Sequence, residues 1–545
     1  MATDNRTLLN DCSATTGWTG SDAVTLNSDA GQSYEGGSSL STQLSNADEQ
    51  MSTTSIGGTR NLAASTVYML AKDNLGESFA NGGVQLVLGD GTDLIGYDVG
   101  GYDRKGLNLP FFFNAYKLDV SVRVTTPGTN FAVYAGSEAA LDQTAITVVG
   151  YGSLHLAKAA GAIDNVYMDA FRFALNSAYH LTVNAGTVGT PIDFASVVTS
   201  DISGGWGMIG NPQGKQYDLF ASTEFGTPSG TADSYFEATS FQLYLLGIGM
   251  AAGNFILRTI GNATGTNSFV LSSGVIVNID TRAVFDMSDD NMDIFELTSV
   301  TFTDLGALTM PNAGGTSRFA NACIFNTIDQ SSFGTLPMAG ATFNGSNDVN
   351  GCMIIGNESV TNKTGFIFNA DGGHAAIEIA PTQTSPDTVE YTFNGWIFNG
   401  FTSSPESGAA LFINPTDLTT NITINVVGGG STPSYRVAAS YSGTVTINNN
   451  VSVTLTDLEP NTEVRVYLAE DFNSPIDVNQ LAGIEDIASP TEFTFSASAG
   501  TVVDIVVFNV NFLLPPNNRI KNFTVPTSDT SFPITQIPDR NFNNP

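Results

Sequence analysis

The sequence is poor in basic residues and in long apolar runs. Its 545 residues include only 19 Lys and Arg against 52 Asp and Glu, which gives a formal net charge of −33. A protein that binds nucleic acid by neutralising phosphates needs basic stripes, so that class is excluded. No apolar stretch approaches the roughly 18 residues of a membrane-spanning helix, and residues 1–11 lack the basic and apolar regions of a secretory signal peptide. We therefore expect neither nucleic acid nor a membrane as a partner.

Cysteine and helix-forming stretches are also scarce. Cys12, Cys323 and Cys352 indicate no disulfide framework and fit no metal motif, so we expect buried free thiols. Disorder is excluded by a hydrophobic fraction of 41% with 35 Phe and 16 Tyr. Many short Val, Ile, Phe and Thr runs, separated by Gly, Asn and Asp, indicate strands joined by turns. The predicted fold class is all-β.

Residues 1–248 are predicted to form a β-sandwich. Segments in which apolar and polar residues alternate are VYMLAKD (67–73), GVQLVLGD (83–90), YKLDVSVRV (116–124), FAVYAG (131–136) and VYMDAFRFAL (166–175). This period of two leaves one face of each strand apolar, and two stacked antiparallel sheets would bury those faces against each other.

Residues 249–440 are predicted to form a parallel β-helix-like solenoid. Short strands that end in Asn or Gly recur, mostly about 20 residues apart, as in the coils of a solenoid. They are CIFN (323–326), ATFNG (341–345), FIFN (366–369), YTFNGWIFNG (391–400), LFIN (411–414) and ITIN (422–425). Asn at a corner tolerates the left-handed conformation and can bond to an Asn of the next coil. A second antiparallel sandwich with Asn-rich turns is the alternative.

Residues 441–514 are predicted to form a small Ig-like β-sandwich. Residues 458–462 (LEPNT) stand between two alternating strands and resemble the turn of fibronectin-type or immunoglobulin-like modules. At roughly 70 residues the module is short for a seven-strand sandwich. It is therefore either pared down or completed by a neighbouring subunit.

Residues 515–545 are predicted to form an extended, proline-rich arm that lies along a neighbouring copy. The arm is slightly basic in a chain that is otherwise acidic, and isolated apolar residues are candidate anchors. The candidate assembly residues are Arg519, Lys521, Phe523, Phe532, Ile537, Arg540 and Phe542. A flexible tail is the alternative.

The order of these sections and four local segments carry a resemblance to a known class. The segments are GDGTD (89–93), GYDVGG (96–101), the strand-turn-strand of residues 456–467 and IPDRNFNNP (537–545). Together they resemble virion structural proteins of tailed bacteriophages, of the fibre, spike or decoration type, and the first section is similar to their concanavalin-like or jelly-roll modules. The resemblance implies a homotrimer on the virion surface that contacts other virion proteins and attaches to host-surface glycans.

A glycan-degrading spike would need two carboxylates on either side of a sugar bond, about 5–5.5 Å apart for retention or about 6.5–9.5 Å for inversion. Candidate residues are the acidic run 286–296 and, further along, Asp371, His374, Glu378 and Glu390. Because acidic side chains outnumber basic ones nearly threefold, solvated loops are the other interpretation. No G-x-S-x-G elbow lies at a strand-to-helix turn. We therefore expect a protein that is not an enzyme, with a polysaccharide depolymerase as the alternative.

Two kinds of binding site are also predicted. Ca²⁺ is the ion favoured by hard oxygen donors on flexible loops, and no other cofactor is expected. The candidate calcium ligands are Asp90, Asp93, Asp98 and Asp103, although solvated aspartates of a Gly-rich hairpin are the alternative. Aromatic side chains in Gly-flanked loops could stack on sugar rings. These candidates are Trp18, Tyr34, Tyr97, Tyr102 and Trp206, although a Trp in a β-sandwich is also typical of a core.

Overall fold

The all-β fold class is confirmed by a computed structural model of the chain. It describes residues 2–20, 24–27, 38–44, 49–73, 84–99, 114–122, 131–154, 164–200, 207–227, 232–247, 249–251, 253–279, 283–382, 388–468, 480–487, 491–509, 518–526 and 529–534. The chain divides into two compact units, Met1–Phe319 and Ala320–Pro545. In the described parts, Cys12, Cys323 and Cys352 are buried free thiols, as predicted.

The first unit begins with an antiparallel β-sandwich. Strand β1 (Ala2–Asp4) precedes the sandwich and pairs with a strand of the coils described below. The sandwich strands are β2 (Thr7–Asn10), β3 (Trp18–Gly20), β4 (Val24–Asn27), β5 (Ser39–Leu44), β6 (Glu49–Arg60), β7 (Ser65–Asp73), β8 (Val84–Gly89), β9 (Leu94–Asp98), β10 (Asn114–Asp119), β11 (Phe131–Ala135), β12 (Ile146–Leu154) and β13 (Asp164–Leu175). One sheet has the order β10-β7-β13-β5-β4, with β2 also paired to β13, and the other has the order β11-β9-β8-β12-β6-β3. The core between them includes Met69 and Phe171 from one sheet and Leu86 from the other.

The same unit continues as coils of parallel strands. They are β14 (Leu181–Val183), β15 (Met208–Asn211), β16 (Gln216–Leu219), β17 (Thr223–Gly226), β18 (Ser234–Thr239), β19 (Gln242–Leu245), β20 (Phe255–Ile260), β21 (Asn267–Ser272), β22 (Val275–Asn278), β23 (Ala283–Asp286), β24 (Ile294–Thr298), β25 (Thr301–Thr303), β26 (Leu308–Thr309) and β27 (Ser317–Asn321), with helix α1 (Phe194–Ser200) between β14 and β15. Sheet A has the order β14-β17-β20-β23-β26, sheet B begins β18-β21-β24, and sheet C begins with β15 and continues β16-β19-β22-β25.

The predicted boundary between sandwich and solenoid at residue 248 is wrong. Parallel pairing begins at Leu181–Val183, which pair with Thr223–Phe225. The strand Ser234–Thr239 alternates between buried and more exposed residues as a sandwich strand would, so its alternation does not distinguish a parallel from an antiparallel neighbour. At the start of the solenoid, Phe194 of α1 packs its ring 4.9 Å from Phe236 and covers the end of the apolar core.

The second unit continues with parallel coils, so the antiparallel alternative for this region is wrong. Its strands are β28 (Ile324–Ile328), β29 (Ser331–Ser332), β30 (Met338–Ala339), β31 (Thr342–Ser346), β32 (Met353–Ile355), β33 (Lys363–Thr364), β34 (Ile367–Asn369), β35 (Ile377–Ile379), β36 (Thr388–Asn394), β37 (Ile397–Asn399), β38 (Leu411–Ile413), β39 (Asn421–Val427), β40 (Tyr435–Val437) and β41 (Val445–Thr456). In this unit sheet A has the order β29-β32-β35-β38-β40, sheet B the order β30-β33-β36-β39-β41, and sheet C the order β28-β31-β34-β37.

The recurring Phe-Asn pairs explain why these coils form. The rings of Phe325, Phe343 and Phe368 stack inside the solenoid, each 4.8 Å from the next, with interplanar angles of 15° and 11°. This separation matches the roughly 4.8 Å between neighbouring strands. Identical residues in register therefore place one ring directly above another and bury all three.

The asparagines that follow these phenylalanines form a ladder on the outer side of sheet C. Asn344 Nδ2 donates to Asn326 Oδ1 at 2.8 Å, and Asn369 Nδ2 donates to Asn344 Oδ1 at 2.7 Å. Asn399 Nδ2 then donates to Asn369 Oδ1 at 3.0 Å. The predicted bonding between Asn residues of successive coils is thus present.

The C-terminal sandwich of the second unit is built onto strand β41. Residues 445–449 pair in parallel with β39, whereas 450–455 pair antiparallel with β44, so one strand belongs to both solenoid and sandwich. The remaining strands are β42 (Thr462–Leu468), β43 (Gln480–Ile487), β44 (Phe493–Ser498), β45 (Val502–Asn509), β46 (Asn518–Thr524) and β47 (Thr530–Pro533). One sheet has the order β43-β42-β45-β46, and β44 and β47 pair with β41 in the other.

The predicted arm is wrong for residues 518–526 and 529–534, because this chain's own small sandwich includes them. Strand β46, which contains Arg519 and the exposed Lys521, pairs antiparallel with β45. Phe523 packs against the sandwich core, and the ring of Phe532 lies 5.8 Å from it while 39% of Phe532 stays exposed. These strands complete the module that is too short at residue 514. Ile537, Arg540 and Phe542 lie outside the described residues.

Candidate functional site

The predicted sugar-stacking aromatics do not form an exposed platform in the described residues. Trp18 is partly buried and lies against the core of the first sandwich, with its ring 6.1 Å from that of Phe171. Tyr97 is only 1% exposed, so its predicted role as a stacking surface is wrong. Its place in β9, where the neighbouring Ile95 is also buried, makes it a core residue despite the adjacent glycine. Tyr34, Tyr102 and Trp206 lie outside the described residues.

The first two predicted calcium ligands hold turns in place. Asp90 Oδ1 accepts the N–H of Thr92 and of Asp93 at 2.8 Å each, and Asp90 Oδ2 accepts the N–H of Asp142 at 2.8 Å. Burial raises the pKa of Asp90, but the backbone donors together outweigh this effect and lower the pKa. Asp93 Oδ1 accepts the N–H of Ser137 at 2.6 Å.

The third predicted ligand, Asp98, has a different environment. It is 1% exposed, and its Oδ1 accepts a hydrogen bond from Gln85 Nε2 at 2.8 Å. Burial raises the pKa of Asp98, which the bond from Gln85 partly offsets. In the described parts of the chain, no group of three or more His, Cys, Asp and Glu could hold a metal ion. Asp90, Asp93 and Asp98 therefore form no such group among the described residues, Asp103 lies outside them, and the calcium site stays a prediction.

The acidic run 286–296 also serves local structure. Asp289 Oδ1 accepts the N–H of Asn291 at 2.7 Å, and Asp293 Oδ2 accepts the N–H of Asn267 at 2.9 Å. Asp290 lies 3.5 Å from the guanidinium of Arg318. These carboxylates hold turns and neighbouring coils together, as a structural role requires.

Asp371 and His374 do come together, in the turns of the second unit that join sheet C to sheet A. We call the turns 329–330, 347–352 and 370–376 the corner. His374 Nδ1 lies 2.7 Å from Asp371 Oδ2, which also accepts the N–H of Ser346 at 3.0 Å. Asp371 Oδ1 accepts the N–H of Gly373 and of His374 at 3.2 Å each. The carboxylate thus ties its own turn to that of the preceding coil.

These bonds determine the ionisation of Asp371. Burial alone would raise its pKa, but the hydrogen bonds from the His374 side chain and from the three backbone N–H groups lower it to about 2. Asp371 is therefore ionised at neutral pH. In any reaction it could act as a base or as a charge partner, whereas a general acid needs a pKa near the working pH.

A small depression lies at the corner, with about 190 Å³ of empty space. Its lining includes Phe343, Ser346, Cys352, Asp371, His374 and Phe401. Part of this space is open solvent, and pockets that enclose small molecules usually have about 300–1,000 Å³, so the depression is too small to enclose a sugar. Burial raises the pKa of the Cys352 thiol to about 12, and Cys352 Sγ donates to the carbonyl oxygen of Ala376. The thiol is consequently no nucleophile at neutral pH.

Asp329 is a carboxylic acid at the corner that the sequence motifs do not single out. Burial raises its pKa, as does the negative charge of Asp348, while a hydrogen bond from the Asn347 side chain partly offsets both. Asp329 directly follows β28, and Asp371 follows β34 two strands along the sheet. Two strand spacings amount to roughly 10 Å. The signal that could have identified Asp329 is its place just after a CIFN-type strand.

The other two candidate carboxylates, Glu378 and Glu390, do not lie at the corner with Asp329 and Asp371. Glu378 is 5% exposed and accepts hydrogen bonds from the side-chain amides of Gln330 and Asn414. Glu390 is exposed on the outer side of β36 in sheet B. Glu378 therefore serves as a buried acceptor in sheet A, and Glu390 is a single exposed carboxylate among Thr and Asn side chains on sheet B.

No protein-family model and no curated protein matches the sequence. Among solved structures, the chain is similar to a family 11 carbohydrate-binding module from Clostridium thermocellum in complex with a β-1,3-1,4-mixed-linked tetrasaccharide, at 11% identity over 31% of this chain and 94% of that one, with a TM-score of 0.22. It is also similar to an exo-β-agarase, at 13% identity over 32% of this chain and 24% of that one, with a TM-score of 0.21. At these TM-scores the likeness supports no conclusion about function. No helix in the described ranges has the length and apolar character that crossing a membrane requires.

Proposed function

We propose that the chain is a structural protein of a particle surface, of the tailed-phage virion type, that works by assembling with copies of itself. The observation that carries the proposal is that each solenoid segment is built into a sandwich. In the second unit β41 belongs to both, and in the first unit β1, which leads into the first sandwich, pairs with β14 of the coils. Strand pairing that continues from the solenoid into the sandwich makes each unit rigid, as a structural protein requires.

The chemistry of the described carboxylates also favours a structural role. The carboxylates of Asp289, Asp293 and Asp371 accept hydrogen bonds from backbone N–H groups. Carboxylates committed in this way stabilise the coils that they connect. The proposal includes attachment to host-surface glycans and contacts with other virion proteins, because the resemblance implies both. Trp18 is the candidate sugar-stacking residue that is partly exposed among the described residues.

The experiment is a mass measurement on the full chain by sedimentation equilibrium or light scattering over a range of concentrations. We expect a mass three times that of one chain. A single-chain mass at every concentration, including near-millimolar, would overturn the proposal.

A second candidate function, hydrolysis of a glycan, is favoured by one observation. The pKa of Asp329 is raised and that of Asp371 is lowered, which is the division of roles that a general acid and a base require. Two strand spacings place their backbones roughly 10 Å apart, just above the about 6.5–9.5 Å that separates the two carboxyl groups of inverting glycosidases. New reducing ends from a bacterial polysaccharide, lost in Asp329→Asn but not in the exposed control Glu390→Gln, would support this function. No release of reducing ends would exclude it for that polysaccharide.

A further inference from the structure

The outer side of sheet C in the second unit carries no charged residue on its four strands. We call this surface the sheet C face. It consists of two columns of side chains in register across β28, β31, β34 and β37. The mainly apolar column is Ile324, Thr342, Ile367 and Ile397, and the amide column is Asn326, Asn344, Asn369 and Asn399.

The mainly apolar column exposes large aliphatic side chains. Ile324 and Ile367 are each 38% exposed, although both are in regular strands of the solenoid. Between the two columns, the intervening residue of each strand points inward, and Phe343 and Phe368 among them stack within the core. The stacked core therefore holds the backbone of the sheet C face rigid. Because this surface is already ordered, it loses little conformational entropy when a second copy covers it.

The amide column can bond to a copy of itself. A side-chain amide has two N–H donors and two acceptor sites, and the ladder uses one of each at Asn344 and at Asn369. Both kinds of group are left for a partner, so an amide column from a second chain is a complementary surface. Because the ladder already satisfies part of each amide, covering the column costs less desolvation than covering separate amides would.

Electrostatics favour a second copy on this face. The chain has a formal net charge of −33, so two copies repel each other wherever acidic faces meet. Sheet B presents the exposed Glu390 on its outer side, and in the first unit it presents Glu237. A basic partner would be attracted to such exposed carboxylates, whereas an uncharged face is where two acidic chains can meet at least cost.

The first unit independently shows a face of the same character. The outward side chains of β19, β22 and β25 in its sheet C are Gln242, Tyr244, Val275, Val277, Thr301 and Thr303, and none of them is charged. The preceding strand β16 carries Asp218 in register with Tyr244, so the uncharged part of this face is limited to β19, β22 and β25.

We propose that the sheet C faces of the copies pack against one another around the threefold axis of the assembly, with the amide columns in contact and the aliphatic side chains packed beside them. This inference rests on the proposed function, since it names the surface through which the chain assembles.

The test introduces one negative charge at each of two matched threonines. Thr342 lies on the sheet C face and Thr364 on the outer side of β33 in sheet B beside the uncharged Ala339 and Asn394, and both are half-buried strand residues. In the proposed assembly, Thr342→Glu places like charges against each other, so we expect association to weaken about tenfold or more by sedimentation. Thr364→Glu should leave association unchanged. Ile367→Glu is a second variant on the face and should act as Thr342→Glu does.

The outcomes separate this inference from the proposed function. A wild-type chain that is a monomer overturns both. A wild-type assembly that persists at unchanged strength in folded Thr342→Glu and Ile367→Glu overturns the sheet C face while the proposed function stands. Circular dichroism and thermal melting of each variant identify the folded ones, and an equal loss in Thr364→Glu would also contradict the inference.

Discussion

Tyr68 and His180 join the first sandwich to the first coil of the solenoid, with Tyr68 Oη 2.5 Å from His180 Nδ1. Both side chains are fully buried. His180 Nε2 lies 3.1 Å from the carbonyl oxygen of Leu175, which can only accept a hydrogen bond. Nε2 therefore carries the proton, and Nδ1 of the neutral ring accepts from the Tyr68 hydroxyl. Burial lowers the pKa of His180 from 6.5 to about 4, against the opposing effect of the bond to Leu175.

This pair makes stability depend on pH. His180 stays neutral in the folded chain down to about pH 4, whereas in the unfolded chain it takes up a proton below about pH 6.5. The unfolded state thus binds more protons between these values, so stability falls as the pH falls from about 6.5 to 4. The loss from this group is roughly 3 kcal/mol. Urea unfolding at pH 7, 5.5 and 4 measures it.

The matched variant for this prediction is His180→Gln, which keeps an amide donor but does not titrate. It should be less stable at pH 7 and show a smaller loss between pH 7 and pH 4 than the wild type. Equal losses in both proteins would show that His180 does not carry the pH dependence.

The amide ladder should contribute measurably to the stability of the second unit. Asn369→Ala removes the bond to Asn344 and the bond from Asn399. We expect a loss of about 1–2 kcal/mol in the free energy of unfolding, since each net hydrogen bond contributes about 1 kcal/mol. Asn399→Ala, which removes one ladder bond at an exposed position, should cost about half as much. Equal effects of the two substitutions would contradict the ladder.

The stacked rings should matter more than the amides. Phe343 is 1% exposed and stacks between Phe325 and Phe368. Phe343→Ala should therefore destabilise the second unit by about 3–5 kcal/mol, as large cavities in cores do. Phe398 is only half-buried at the other end of the stack, so Phe398→Ala should cost clearly less. Differential scanning calorimetry compares the two, and a larger effect at Phe398 would refute the stacking argument.

The last strands should stabilise this chain's own sandwich. Ile534 is 4% exposed in the sandwich core, whereas the neighbouring Phe532 is 39% exposed. Ile534→Ser should lower the melting temperature and speed proteolysis of residues 450–534, while Phe532→Ser should have little effect on either. If Ile534→Ser leaves melting unchanged, β47 is not part of the stable sandwich.

The repeated Phe-Asn pairs made the solenoid predictable because in-register parallel strands place the same residue type at the same depth in every coil. No such repeat marks residues 208–245, where Ser234–Thr239 alternates like any half-buried strand, so the sequence predicts too late a start for the solenoid. The predicted arm differs from the structure for a related reason. Its prolines indicate an extended chain, but the pairing of residues 518–524 with 502–507 depends on contacts that local patterns do not encode.

The candidate site was less predictable than the fold. Asp371 and His374 are three residues apart, and their contact follows from the tight turn in ADGGHAA. The raised pKa of Asp329 arises from burial and from Asp348 in the next coil, which no local motif reveals. The glycines near Tyr97 predict an exposed loop, but Tyr97 lies in strand β9 and the pleat of that strand places its side chain in the core.

The most direct test of the account is the mass of the full chain in solution at neutral pH, measured together with reducing ends after incubation with bacterial polysaccharides. The account predicts a particle of three chains that releases no reducing ends. A single chain that cleaves a polysaccharide would contradict it.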